Sequence, residues 1–237
     1  MVALARRSPY APRVEHLPDP VELAASLVRV PSVTGHEAAV QGVIARWCDA
    51  HGLDARLVDA APGRPNLLIE VGSQAPDAPS LLLNGHVDVV PPGDGWTRDP
   101  WSGAVEGGLL HGRGACDMKA GVATMLAGLV AAVRAVPEPR GRVTLACVVD
   151  EEDGGLGTRR TIAAGLRADW AVIAEPTECR PVRAAKGNCY LEVRVGGVAA
   201  HAGAPDAGAN AIHAAAEVVE RVRALDRELR GRAHSVL

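Results

Sequence analysis

A chain of 237 residues can hide roughly 70% of the surface that its unfolded form exposes, so it needs neither disulfides nor a structural metal to hold a core. With 48% hydrophobic and 22% charged residues it has the balance of a globular protein and not of a disordered one. A net charge of −3 argues against a nucleic-acid partner, which would require a basic face.

Residues 1–18 are rich in Arg and Pro without an apolar period, and a loose tail is expected there. They lack a signal-peptide core, and no run reaches the roughly 18 apolar residues of a membrane span, so no membrane partner is expected. Cysteines 48, 116, 147, 179 and 189 are odd in number, scattered and without a C-x-x-C pair, which points to a reducing cytoplasm. PVELAASLVRV, between Pro20 and Pro31, predicts a helix punctuated by proline at both ends. His36–His51 predicts another, with Val40, Ile44 and Trp47 on one face and Gly52 as its stop.

NLLIEV (66–71) and SLLLNG (80–85) are β-type runs. MKAGVATMLAGLVAAVR (118–134) is apolar nearly all round and predicts a buried helix. RVTLACVV (142–149) and WAVIA (170–174) predict two further buried strands, with the helical GTRRTIAAGL between them. This alternation implies an α/β fold, a mostly parallel or mixed sheet with helices on both faces.

The character changes near residue 181. CYLEVRVGG (189–197) alternates, Leu191, Val193 and Val195 against Glu192 and Arg194, and predicts a half-exposed strand. Residues 209–229 predict an amphipathic helix with Ile212, Val219, Val222, Leu225 and Leu229 in a stripe. The expected organisation is therefore a first, α/β domain over 19–181 and an incomplete α+β domain over 182–237.

Acidic and histidine residues gather where predicted strands end and the buried helix begins. His86 and Asp88 follow SLLLNG, Asp117 stands at the mouth of the buried helix, Glu151 and Glu152 follow RVTLACVVD, and Glu175 follows WAVIA. Functional crevices of open α/β sheets lie beyond the carboxyl ends of the strands, so these groups are expected to converge. One imidazole with several carboxylates suits zinc, manganese or cobalt. In His86-Val87-Asp88 the outer side chains share one side of an extended chain, so the Asp88 carboxylate is expected to accept the spare ring N–H of His86.

Taken alone, an H-x-D triplet is more often a satisfied histidine near a turn, and a Glu pair more often a solvated loop. The run DEED at the end of a buried strand shifts that balance, because its repulsion needs a nearby cation. Gly112-Arg-Gly114-Ala-Cys-Asp117 has the spacing of a dinucleotide loop, but its third position is an aspartate that would repel a pyrophosphate.

LLLNGHVDVVP, GWTRDPWSG, GRGACDMKAG, VVDEEDGG, AEPTE and GVAAHAGAPDAGANAI occur in this order. Together they resemble the two-metal aminoacyl hydrolases that include acetylornithine deacetylase, succinyl-diaminopimelate desuccinylase, aminoacylase and the glutamate-releasing carboxypeptidases. The resemblance implies a zinc-exopeptidase-like catalytic domain, a lid that forms homodimers, and two divalent ions, zinc first with cobalt or manganese as alternatives. It implies that His86 ligates one metal and Asp88 orients it, that Asp117 bridges both metals ahead of a cis peptide to Met118, and that Glu175 completes the first metal. Glu151 then corresponds to the general base, Glu152 to a ligand of the second metal, and His201 to a lid histidine that polarises the scissile carbonyl across the dimer.

The implied reaction is hydrolysis of an amide in an N-acyl amino acid or small peptide by metal-activated water, with acetylornithine as the nominal substrate. The family's last metal-ligating histidine and the rest of its lid are not found in the chain. The alternative is therefore a weak or inactive fragment that binds metal or a partner only. His213 and His234 are expected on the surface, Cys116 packed, and Trp96 and Trp101 anchoring the loop beside the site.

Overall fold

The computed structural model describes residues 17–136, 139–187 and 189–232, so most of the expected tail and His234 lie outside the described residues. Asp19 opens the first helix: its carboxylate accepts the Val21 N–H at 2.8 Å, and Pro20 takes the first helical position of α1 (Pro20–Val28). There follow α2 (Ala38–Ala50), β1 (Ala55–Ala61), β2 (Arg64–Gly72), β3 (Ser80–His86), a small hairpin of β4 (Ala104–Glu106) and β5 (Leu109–His111), α3 (Ala120–Ala135), β6 (Arg142–Val148), α4 (Leu156–Ala163), β7 (Trp170–Ile173) and α5 (Ala211–Arg230). The chain divides into two compact units, Met1–Pro176 and Thr177–Leu237.

In the first unit five strands form one sheet in the order β1-β2-β6-β3-β7. β2 runs antiparallel to β1 and β6, while β3 runs parallel to β6 and β7, so the sheet is mixed. Strand alternation sends Leu67, Ile69, Leu145 and Cys147 into a core shared with α1, α2 and α3, where Leu27, Ile44, Met118 and Leu126 are fully buried. Along α2 the innermost positions are Val40, Ile44 and Cys48, while the expected Trp47 is only half-buried. The opposite face carries Leu68 and Thr144, which with α4 line an open groove of about 710 Å³. By length and composition alone, Ala115–Ala135 could cross a membrane, yet Val122, Leu126, Leu129 and Val130 are core residues.

Two expectations are corrected. β7 is a strand but not a buried one: Trp170, Val172 and Ile173 are 63%, 51% and 57% exposed. It is an edge, pairing only with β3 among the described residues. Residues 189–197 form no strand. Alternation makes a strand only when a neighbour offers a ladder, and here the described pairing is a single bridge between Val198 and Ala209. No described residue of the second unit is buried, so the apolar stripe on α5 faces solvent.

At Gly121, in the first turn of α3, an added Cβ would come 2.3 Å from the Ala174 carbonyl oxygen, one residue before Glu175. Gly121→Ala gains up to about 1 kcal/mol of helix propensity but meets about 1–3 kcal/mol of overpacking against backbone. A net loss of stability is expected in urea unfolding; a variant more stable than the parent would show that α3 and the end of β7 do not approach so closely.

Candidate metal centre

Because β3 runs parallel to the strands on either side of it, β6 and β7, the carboxyl ends of all three open on one rim of the sheet. His86 ends β3, Asp150–Glu152 follow β6, and Glu175 lies two residues past the end of β7. Asp117 arrives from a different direction, on the kinked turn Ala115–Lys119 that leads into α3, and the Asp117–Met118 peptide is cis, as the resemblance implied.

His86 is the buried centre of the cluster, 1% exposed. Its Nε2 lies 3.0 Å from Asp117 Oδ1, 3.6 Å from Glu175 Oε1 and 3.8 Å from Glu151 Oε2. Its Nδ1 is 2.9 Å from the backbone carbonyl of Asp88. A carbonyl oxygen only accepts, so Nδ1 donates to it, and Nε2 is the ring atom turned toward the carboxylates.

The expected contact to the Asp88 carboxylate is therefore corrected: Asp88 steers the ring through its main chain, and its nearest carboxylate oxygen is 3.7 Å away. That carboxylate, fully buried, is taken by better-placed donors. It accepts Thr34 Oγ1 at 2.9 Å and the backbone N–H groups of Glu151 at 3.1 Å and Glu152 at 3.2 Å. Asp88 thus locks the loop after β6 to the end of β3.

Among the described residues, two sets of three side chains bring their donor atoms within 4.8 Å of one another: His86, Glu151 and Glu175, and His86, Asp117 and Glu152. Burial lowers the pKa of His86, but the Asp88 carbonyl and the carboxylates of Asp88, Glu175 and Glu151 raise it further, to a net increase. Burial, with Asp117 and Glu151 as like charges, pushes Glu175 up to about 7 against the opposing pull of His86. Burial and the neighbouring carboxylates raise Glu152 too. Crowded carboxylates that resist ionising beside an imidazole nitrogen form an N/O donor set suited to a divalent cation.

Six of the seven sequence-predicted residues meet at this rim. The seventh, His201, stands in the second unit, where its Nδ1 accepts the Gly203 N–H at 3.0 Å. Cys116, expected to be packed, is exposed. Trp96 and Trp101 hold their loop by contacts with cations: Arg113 lies 5.3 Å from the Trp96 ring and the Lys119 ammonium 5.8 Å from that of Trp101.

Sequence reasoning missed the supporting residues. Lys119 is buried, donates to the carbonyls of Leu27 at 3.0 Å and Val30 at 2.9 Å, and so ties the end of α1 to the Asp117 turn; burial pushes its pKa down to about 8. Its one visible signal was a lysine at the mouth of an otherwise apolar helix. Glu37, fully buried, pairs with Arg64, which also reaches Asp150. Burial raises the pKa of Glu37, but the Arg64 fork and the Gly35 N–H outweigh it and hold the carboxyl below the usual glutamate range. A depressed pKa contributes stability that is present above the unfolded value, about 4.3, and is lost as pH falls through the folded one. Urea midpoints measured from pH 6 to pH 2.5 should therefore fall less steeply with acid for Glu37→Gln than for the parent, and parallel curves would remove Glu37 from the acid response.

Residues 82–233 match the sequence profile described as Peptidase family M20/M25/M40. The chain is 36% identical over 222 residues to succinyl-diaminopimelate desuccinylase 2 of Ruegeria sp. (strain TM1040), covering 89% of this chain and 55% of that relative. It is 39% identical over 212 residues to succinyl-diaminopimelate desuccinylase of Paracoccus denitrificans (strain Pd 1222), covering 84% and 54%. Among solved structures, a tripeptidase from Staphylococcus aureus superposes with a TM-score of 0.60 at 25% identity, over 85% of this chain and 55% of that one. An M20 family metallo-carboxypeptidase from Sulfolobus solfataricus shares the fold, with a TM-score of 0.57 at 22% identity over 66% of this chain and 37% of that one. The chain spans about half the length of the curated relatives it matches.

Proposed function

We propose a function that proceeds from one premise: this chain belongs to peptidase family M20/M25/M40. The first unit carries a divalent-metal centre, and the whole protein hydrolyses an amide bond in an N-acyl amino acid or small peptide. The observation that carries this is His86 Nε2 facing the carboxylates of Asp117, Glu151 and Glu175 within 3.8 Å. The names of the relatives move the choice of acyl group from acetyl to succinyl.

His86, Asp117 and Glu175 would hold one ion, and Asp117 with Glu152 a second, zinc first and cobalt or manganese as alternatives. When bound, such a pair supplies Lewis acidity and brings the pKa of a water toward neutrality. Glu151 takes the proton from the attacking water and returns it to the leaving amine. Asp88 holds the Glu151 backbone and the His86 ring at once, so base and ligand stay in register. His201 of the second unit would stabilise the oxyanion from a second copy, with the exposed stripe Ile212, Val219, Val222, Leu225 and Leu229 as the dimer surface, and the cytoplasm is the assigned compartment.

A second reading is favoured by one observation: with His86 given to one ion, Asp117 and Glu152 alone among the described residues of the site remain for the other, and the chain spans about half the length of the curated relatives it matches. On that reading the chain binds one ion and catalyses weakly or not at all. Zinc titration calorimetry, with amine release from N-succinyl and N-acetyl amino acids, decides. Two ions and release support hydrolysis, one ion without release supports the fragment, and no zinc binding removes both.

A further inference from the structure

Building on the metal-centre reading above, we propose that Arg64 is a positioning residue: clamped by the buried Glu37, it holds Asp150 in a left-handed backbone conformation and so aims Glu151 and Glu152 at His86. Asp150 has φ +67°, a conformation that residues with a Cβ rarely adopt and aspartate tolerates only with local support. That support is visible on both carboxylate oxygens and on the backbone carbonyl. Its Oδ1 accepts Arg64 Nη2 at 2.7 Å and its Oδ2 accepts the Leu156 N–H at 3.3 Å. Its carbonyl accepts the N–H groups of Gly154 at 3.2 Å and Gly155 at 2.5 Å.

Arg64 is itself immobilised. Its Nε donates to Glu37 Oε2 at 3.0 Å and its Nη2 to Glu37 Oε1 at 2.5 Å, and Glu37 also accepts the Gly35 N–H at 2.9 Å. A planar fork can hold one carboxylate from two nitrogens and still reach a second; a lysine ammonium, a single point charge, cannot reproduce this. The link therefore runs from the start of α2, through the first residue of β2, to the residue before the acidic pair.

The two residues after Asp150 are pinned from the other side. Glu151 and Glu152 donate their N–H groups to Asp88, and both carry side chains into the donor sets around His86. Relaxation of Asp150 to a negative φ would rotate those N–H groups off Asp88 and swing both carboxylates away. Arg64 and Asp88 thus flank the turn as two clamps, one on the residue before the pair and one on the pair itself. Ion pairs with a buried carboxylate also bear on stability, so position is separated from folding by measuring both.

Zinc affinity by calorimetry, with circular dichroism for the fold, makes that separation. Arg64→Met is expected to weaken zinc binding by about 10–100-fold, the range seen when partners of metal ligands are removed. Asp150→Ala and Asp150→Gly both delete the carboxylate, but only glycine takes a positive φ freely. Asp150→Ala is therefore expected to lose affinity like Arg64→Met, while Asp150→Gly stays within about threefold of the parent by the same principle. Adding Arg64→Met to Asp150→Gly should cost little more. Equal affinities for Asp150→Ala and Asp150→Gly, an Arg64→Met loss that persists in full on the glycine background, or an Arg64→Met protein that binds like the parent would each overturn the proposal. If Arg64→Met fails to fold, the Ala–Gly pair decides by itself, because it leaves Arg64 and Glu37 joined. A parent chain that binds no zinc sinks the metal centre and the clamp together, whereas loss in His86→Ala with none in Asp150→Ala sinks the clamp alone.

Discussion

His86→Ala is expected to abolish measurable zinc binding by the first unit. His86 belongs to both donor sets, supplies their only nitrogen, and is the one buried member, so its ring already stands where an ion would be held. The remaining donors are carboxylates whose pKa values, at Glu152 and Glu175, are raised by burial first and by like charge second. The loss should exceed the about 10–100-fold that follows removal of an outer partner. Calorimetry that returned the parent affinity for His86→Ala would place the ion elsewhere.

Glu151→Ala is expected to lower amide hydrolysis by about 10²–10⁴-fold, the contribution of a positioned general base, while the number of zinc ions bound is unchanged. The backbone N–H that Glu151 gives to Asp88 survives the substitution, so the loop should keep its place and the effect should be read on turnover. Glu151 also lies in a donor set with His86 and Glu175, which makes the measurement decisive. Zinc and turnover falling together would make Glu151 a ligand and send the search for the base to Glu152.

How far the site could be read from residues alone depended on range. His86, Asp117, Glu151, Glu152 and Glu175 were legible because each is a charged or imidazole group at a boundary between buried and exposed chain, where an α/β sheet exposes its strand ends. Asp88 was legible as a residue but not as an atom: the i, i+2 rule brings it beside His86, yet which of its oxygens meets the ring depends on donors from Thr34 and the loop after β6. The Glu37–Arg64–Asp150 link was not legible at all, because its members are 27 and 86 residues apart and share no local period.

The fold followed the same logic. Apolar runs flanked on both sides, 66–71, 80–85 and 142–149, became central strands. β1, with four exposed residues in seven, left no pattern to see. WAVIA and CYLEVRVGG misled in opposite ways: a continuous apolar run fits an edge as well as a centre, and an alternating one needs a partner that the described chain does not offer.

The unpartnered margin of β7 has a practical consequence. Apolar residues there sit beside main-chain groups that no further strand among the described residues engages, the arrangement from which sheets of separate molecules zip together. Concentrated solutions of this polypeptide are accordingly expected to drift toward lateral, sheet-extending oligomers, and an acidic or basic side chain grafted onto that rim is expected to keep it dispersed.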